Sequence, residues 1–172
     1  LSNSVDPVLQ ARGEATPYAP RRSGRFEILM LASPRDFKGV PEFLRLAEAL
    51  TRRNDIAFSL VFNADDSEIA RYIGTRTLPD RVRIHPRTDD PAGFYARADL
   101  VVNLSRVDLW IETFGLTLVE AMSFGIPVIA PPIGGPAEVV SPGHDGYLVD
   151  SRNHEALLGT VLKLADDPAH CM

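Results

Sequence analysis

The sequence predicts a doubly wound α/β fold, a mostly parallel sheet covered by helices on both faces. Three observations carry this. Short apolar runs suited to strands alternate with helical segments along most of the chain. The strand runs are rich in Val, Ile and Leu with little polar alternation, as in FEILMLA at Phe26–Ala32, which fits strands buried on both faces. The length, 172 residues, suffices for one well-buried domain and not for two of ordinary size. The expected organisation is a single domain over residues 25–172, preceded by an interdomain linker or disordered tether over residues 1–24.

Each element has its own justification. Residues 1–24 hold Pro7, Pro17, Pro20, Gly13 and Gly24 and keep no hydrophobic period, hence the linker. Their arginines, Arg12, Arg21 and Arg22, together with Arg25, are read either as solvated tether residues or as a patch for an anionic membrane. The first strand is 26–32. Residues 41–50 form a helix, because Phe43, Leu44, Ala47 and Leu50 recur at helical spacing and Pro41 suits a first turn. The second strand is 56–62, followed by a short helix at 66–73 with Asp65 as its cap. A third strand, 82–85, precedes a short helix at 91–98, and DLVVNL at 99–104 is the fourth strand. An apolar-faced helix at 116–124 is stopped by Gly125. Strand 127–130, a helical turn at 136–140 and strand 147–149 follow. The closing helix, 154–165, places Leu157, Leu158, Val161, Leu162 and Ala165 on one side. Right-handed crossovers then put the ligand crevice at the carboxyl ends of the strands. The loops that matter are therefore 33–39, 63–66, 86–90, 105–115 and 131–136.

Composition removes several function classes. The net charge of −5 disfavours a nucleic-acid binder, which needs a basic face. The one cysteine, Cys171, allows no internal disulfide and no zinc framework, so a reducing cytoplasm is the expected compartment. No apolar run approaches the roughly 20 residues that span a bilayer. Because the chain opens on Leu1, it reads as part of a longer protein. No G-x-G-x-x-G follows the first strand, which disfavours a nicotinamide enzyme, and no G-x-S-x-G elbow marks a hydrolase. No His, Asp or Glu spacing fits a metal site.

The strongest chemical signal is Glu112-Thr113-Phe114-Gly115-Leu116-Thr117-Leu118-Val119-Glu120, two acids eight residues apart. The first lies in a loop after a strand, the second in the following helix. Gly115 allows close approach of the backbone, and the helix start offers free N–H groups to an anion. A carboxylate further along can accept from a diol such as ribose. Alone, the spacing also fits an exposed helix acid plus a favourable charge near a helix N-terminus. Its setting, after a buried strand and running into AMSFGIPVI, favours the site. A second cluster, Arg35-Asp36-Phe37-Lys38-Gly39, follows the first strand and supplies cations suited to a diphosphate.

The stretch ETFGLTLVEAMSFGIPVIA resembles the E-x7-E motif of glycosyltransferase family 4, the group 1 glycosyltransferases. The order of further motifs is similar: Gly134-Gly135-Pro136-Ala137-Glu138-Val139-Val140 resembles the family's GG-x-x-E turn, and Gly146-Tyr147-Leu148-Val149 its G-x-hydrophobic-V strand. Phe94 to Val102 resembles its helix-to-strand step, and Ser2 to Pro7 the hand-over between its two domains. The resemblance covers nearly the whole chain.

It implies a Rossmann-like domain that is one half of a GT-B fold, the donor-binding half of a retaining enzyme, with the N-terminal acceptor-binding domain absent. The implied donor is a UDP-, GDP- or other nucleoside-diphosphate sugar, used without cofactor or metal. By the same resemblance Lys38 and Arg35 bind the diphosphate, with Lys38-Gly39 matching the family's KG. Glu120 binds the ribose, and Glu112 lies by the donor sugar as nucleophile or positioning group. The backbone around Thr113, Phe114, Gly115 and Leu116 meets the sugar or β-phosphate, and His85 lies at the mouth expected for the base. The full-length protein is expected in the cytoplasm, with peripheral association to the inner face of the membrane as a further expectation.

The sequence departs from the family in three places. Arg35 is closer to Lys38 than usual. Residues 105–111 make a longer loop before Glu112, whose Asp108 and Trp110 wall a sugar pocket or, for Trp110, anchor the domain edge. Asn63-Ala64-Asp65-Asp66 replaces a glycine-rich turn. Two alternative functions stay open: a sugar-nucleotide-binding module without transfer activity, and half of a sugar-nucleotide epimerase.

Overall fold

The structure, a computed structural model, describes residues 5–167. Residues 2–4 of the hand-over signature at 2–7, and the tail from 168 onward with Cys171, lie outside the described residues. The elements run α1 (Pro7–Glu14), β1 (Phe26–Ala32), a 3-10 turn (Asp36–Lys38), α2 (Val40–Ala49), β2 (Ile56–Phe62), α3 (Asp66–Ile73), β3 (Val82–His85) and α4 (Ala92–Tyr95). They continue with β4 (Leu100–Val102), α5 (Leu116–Ser123), β5 (Val128–Ala130), α6 (Gly135–Val139), β6 (Gly146–Leu148) and α7 (His154–Asp166).

The six strands form one sheet in the order β3-β2-β1-β4-β5-β6, all neighbours parallel. From β1 the chain winds outward through β2 and β3, then returns to the other side of β1 with β4. The winding direction reverses there, so a crevice opens between the carboxyl ends of β1 and β4. This is the Rossmann-like arrangement expected from the sequence.

Alternation along each strand feeds two cores. Phe26, Ile28 and Met30 of β1 join Phe58, Leu60 and Phe62 of β2 and Leu100 of β4 under α2 and α7. Leu29, Val61, Val101 and Val128 point the other way, against Tyr95 of α4 and Leu118 and Ala121 of α5. The Phe43 ring of α2 meets Phe58 edge-on, with centroids 5.5 Å apart. Buried aromatic pairs of this kind add to the gain from burial alone.

Local chemistry sets the element ends. Asp65 caps α3 in a reciprocal box with Glu68: each side chain takes a bond from the other's backbone. Strand β4 is shorter than its apolar run because Asn103 Oδ1 accepts from the Ser105 N–H at 3.0 Å, which turns the chain out of the sheet. Ahead of β4, the Asp99 carboxylate takes the backbone N–H groups of Glu27 and Arg21 instead of extending the strand.

Residues 5–24 are not a disordered tether, which corrects that part of the expectation. Asp6 accepts from the N–H groups of Val8 and Leu9 and Pro7 opens the first turn, so α1 is a capped helix. It docks on α5 through Leu9 and Gly13, where any Cβ on Gly13 would run into the carbonyl of Ser123. The arginines there have partners within the domain. Arg12 pairs with Asp90 at 2.6 Å, and Arg21 reaches Asp55 and the Ala165 carbonyl. Arg22 donates to the Pro17 carbonyl. Among the described residues, no helix is long and apolar enough to cross a membrane.

Candidate functional site

A cleft of about 430 Å³ opens at the carboxyl ends of β1 and β4. That size is within the range of small-molecule sites. Ala32 and Ser33 from β1, Asn63 after β2, Arg87 and Thr88 after β3, and Asn103 and Ser105 after β4 form much of its wall. Lys38, Glu112, Gly115, Leu116, Thr117 and Glu120 also line it. The strands place these groups because each polar loop follows a strand whose side chains are fixed in the core.

Lys38 and Glu112 come from segments far apart in sequence and meet as an ion pair, Nζ to Oε2 at 2.8 Å. Both side chains are mostly buried, 21% and 16% exposed. The Ser105 hydroxyl donates to the same Glu112 oxygen at 3.4 Å. The Lys38 ammonium also lies 5.0 Å from the Trp110 ring centroid.

Gly115 has φ +82 and opens α5, whose first turn has no side-chain cap. Its N–H groups are therefore open to an anion in the cleft, where the positive end of the helix dipole lies. One and a half turns along, Glu120 is half-buried. Its Oε2 accepts from the Tyr95 hydroxyl at 2.6 Å. Burial raises the Glu120 carboxyl above the ordinary value; the Tyr95 bond opposes this and the Asp6 charge adds to it. Tyr95 is pushed well above the usual tyrosine value by burial and by the Glu120 charge, so it stays a donor. Its fixed hydroxyl leaves the remaining lone pairs of Glu120 for a ligand.

The glycine pair Gly134-Gly135 holds the Glu112 loop in place. A Cβ on Gly134 would strike the Glu112 carbonyl, and one on Gly135 the Thr113 carbonyl. Gly135 donates to that Glu112 carbonyl at 2.9 Å. The two loops are thus in backbone contact, and the acid is aimed by that contact.

Some expected site residues are not brought into the cleft. Arg35 is exposed, and its Nη1 donates to the Pro34 carbonyl at 2.9 Å, away from the lining. Arg87 is the cation that joins Lys38 in the cleft wall. His85 packs against Phe94 with centroids 4.8 Å apart and does not line the cleft. Burial, with help from Arg97 and Arg83, lowers its pKa. Gly39 is buried with φ +84, and a Cβ there would collide with the Leu104 carbonyl, so the Lys38 turn packs closely on the chain just after β4. Thr113 and Phe114 do not line the cleft: Thr113 is exposed, and the backbone of both passes close to Gly135. Trp110 is not a core anchor: it is 44% exposed at the rim.

Among residues not assigned a site role from the sequence, Ser33, Asn63, Thr88, Asn103 and Ser105 line the cleft. Most of them fall in the strand-end loops that the winding rule marks. Tyr95, the partner of Glu120, could be found only from the tertiary structure. Among the described residues, no group of three His, Cys, Asp or Glu is placed to hold a metal ion.

Comparison with known proteins is consistent with this architecture. The family model for "Glycosyl transferases group 1" matches residues 15–172. A D-inositol 3-phosphate glycosyltransferase from Arthrobacter sp. (strain FB24) is 32% identical over 95% of this chain, which covers 39% of that relative. The chain therefore spans well under half the length of this relative. Among solved structures, the C-terminal domain of a glycosyl transferase group 1 family protein (LpcC) from Francisella tularensis superposes with a TM-score of 0.73. It is 21% identical, over 97% of this chain and 90% of that one. Anabaena HepE in complex with UDP-glucose superposes with a TM-score of 0.68 at 24% identity, over 96% of this chain and 45% of that one. The family model spans most of the chain and the fold agrees with it: this chain belongs to the group 1 glycosyltransferases.

Proposed function

We propose that the chain is the donor half of a retaining glycosyltransferase, binding a nucleoside-diphosphate sugar in the β1/β4 cleft. One observation carries the reading: Lys38, Glu112, the uncapped start of α5 and Glu120 line a single cleft at the switch point of the sheet. The diphosphate lies over the N–H groups at Gly115 to Thr117. Lys38 meets it with a charge-assisted bond and offsets the negative charge that develops as the nucleotide departs. Glu120, held by Tyr95, grips the ribose. Glu112 faces the donor sugar and, through its pair with Lys38, fixes where the ammonium stands. Charge compensation from the lysine and the helix start needs no bound metal, so EDTA leaves affinity unchanged.

Calorimetric titration of the chain with UDP, GDP and ADP tests the site. Tight binding of at least one, lost in Glu120→Ala, supports it. A folded chain that binds none of them contradicts it. Retention is tested on the full-length enzyme by NMR assignment of the product's anomeric configuration, and an inverted product would rule it out.

A second reading, a binding module without transfer activity of its own, is favoured for the isolated chain by one fact: it covers only 39% of the matched relative. The expected behaviour is binding without product. Transfer by this chain with no other polypeptide would exclude it.

A further inference from the structure

We propose that Trp110 is a positioning residue for Lys38, its indole face holding the ammonium at the cleft for the donor's phosphates. This rests on the donor reading above. Trp110 is 44% exposed beside Lys38, so it is not enclosed in the core. Its neighbours explain its place: the Phe37 ring at 5.3 Å and the Lys38 ammonium at 5.0 Å from its ring centroid.

The loop that carries it is fastened to the turn that carries Lys38. The Arg106 N–H donates to the Phe37 carbonyl at 2.9 Å, and the Trp110 N–H closes the loop on the Arg106 carbonyl at 2.8 Å. The Arg106 guanidinium spans to Glu42 of α2 at 2.9 Å and grips Asp108 through two bonds. Trp110 is thus fixed relative to Lys38, although it is open to solvent.

The two partners of Lys38 differ in what they do when an anion arrives. Glu112 competes with a phosphate for the same charge. The indole face attracts only the cation, so it keeps its hold while the ammonium turns to the phosphate. A lysine stem is flexible, and restraining it before binding reduces the ordering cost of binding.

The first test needs no nucleotide. An aromatic ring over an ammonium shields the adjacent methylene, so the Lys38 Hε resonances should lie upfield in the wild type and move downfield in Trp110→Leu. Unchanged Lys38 shifts would overturn the proposal. The second test is calorimetry with UDP, GDP and ADP on Trp110→Phe, Trp110→Leu, Lys38→Met and the Lys38→Met/Trp110→Leu double variant. Trp110→Leu is expected to weaken binding about two- to fivefold, while Trp110→Phe retains most of it. In the Lys38→Met background Trp110→Leu should change nothing. The same loss in both backgrounds would show that Trp110 does not act through Lys38. A wild type that binds none of the three overturns the donor reading instead, and the Lys38 shifts still decide the Trp110 contact.

Discussion

At the amino end of the sheet, charges close on one another; at the carboxyl end, they face a cleft. Beneath β1 and β4, Asp99 is fully buried and takes the N–H groups of Glu27 and Arg21. Arg21, in the left-handed region at φ +53, reaches on to Asp55 and Ala165. Arg53 bridges Asp55 and Asp166 at 2.9 and 2.7 Å. At the other end, Lys38 and Glu112 pair with each other but line an open cleft. Among the described residues the Glu120 carboxylate accepts from Tyr95, and Arg87 lines the wall. The lesson is that charge count does not distinguish structure from function here; spare bonding capacity beside open space does. Substitutions at the amino end should cost stability alone, and those at the carboxyl end binding alone.

The largest expected effect is at Asp99. Asp99→Ala leaves two part-buried N–H groups without their acceptor and empties a fully buried position, a loss of about 2–4 kcal/mol of stability. Urea denaturation measures it, and nucleotide affinity should not move. A fall in affinity as large as the fall in stability would break the division between the two ends.

Next is Lys38→Met, which removes a charge-assisted bond to the diphosphate. Affinity should fall about 10- to 100-fold, the equivalent of roughly 1.5–3 kcal/mol, with the melting temperature nearly unchanged. A melting temperature that drops while affinity stays would assign Lys38 to structure.

A smaller effect sharpens the comparison through pH. Burial raises the Glu120 carboxyl, so it protonates at a higher pH than an ordinary glutamate. A neutral acid accepts the ribose hydroxyls less well, so affinity should weaken as pH falls toward and through that raised value. Glu120→Gln should flatten the profile. Tyr95→Phe should weaken binding by about 0.5–1.5 kcal/mol, because the acid loses the donor that fixes it.

The smallest is Asp55→Asn at the opposite end. The Arg53 bond holds the Asp55 carboxyl well below its usual range. The sign follows: its contribution is present above the unfolded value near 3.9 and is lost as pH falls toward the depressed folded value. Asp55 is 42% exposed, so solvent screening limits the contribution to under about 1 kcal/mol. A change in nucleotide affinity in this variant would be unexpected.

Much of the fold was legible. The exact limits of β1, β2, α3 and β3, and the cap at Asp65, follow from runs and turn residues that act locally. The family was legible too: the resemblance read from the sequence agrees with the family model that matches residues 15–172. Helix α1 was not legible: Val8 is 70% exposed and Leu9 carries most of its burial, so no apolar stripe marks it. Its stability comes from a cap and from docking on α5. In the site, Lys38 and Glu120 were legible as charges in strand-end positions. Arg35 was equally legible and yet turns to its own neighbour Pro34.

By itself, the sequence determined the alternation of elements, the parallel sheet and the loops that bear the site, since periodicity and turn chemistry are short-range properties. Only the tertiary structure decided which charges meet. Lys38 and Glu112 are 74 residues apart, and Tyr95 and Glu120 are 25. A hydrogen bond depends on distances of a few tenths of an ångström, and chain separations of that length are resolved only once the sheet has brought the strand ends together.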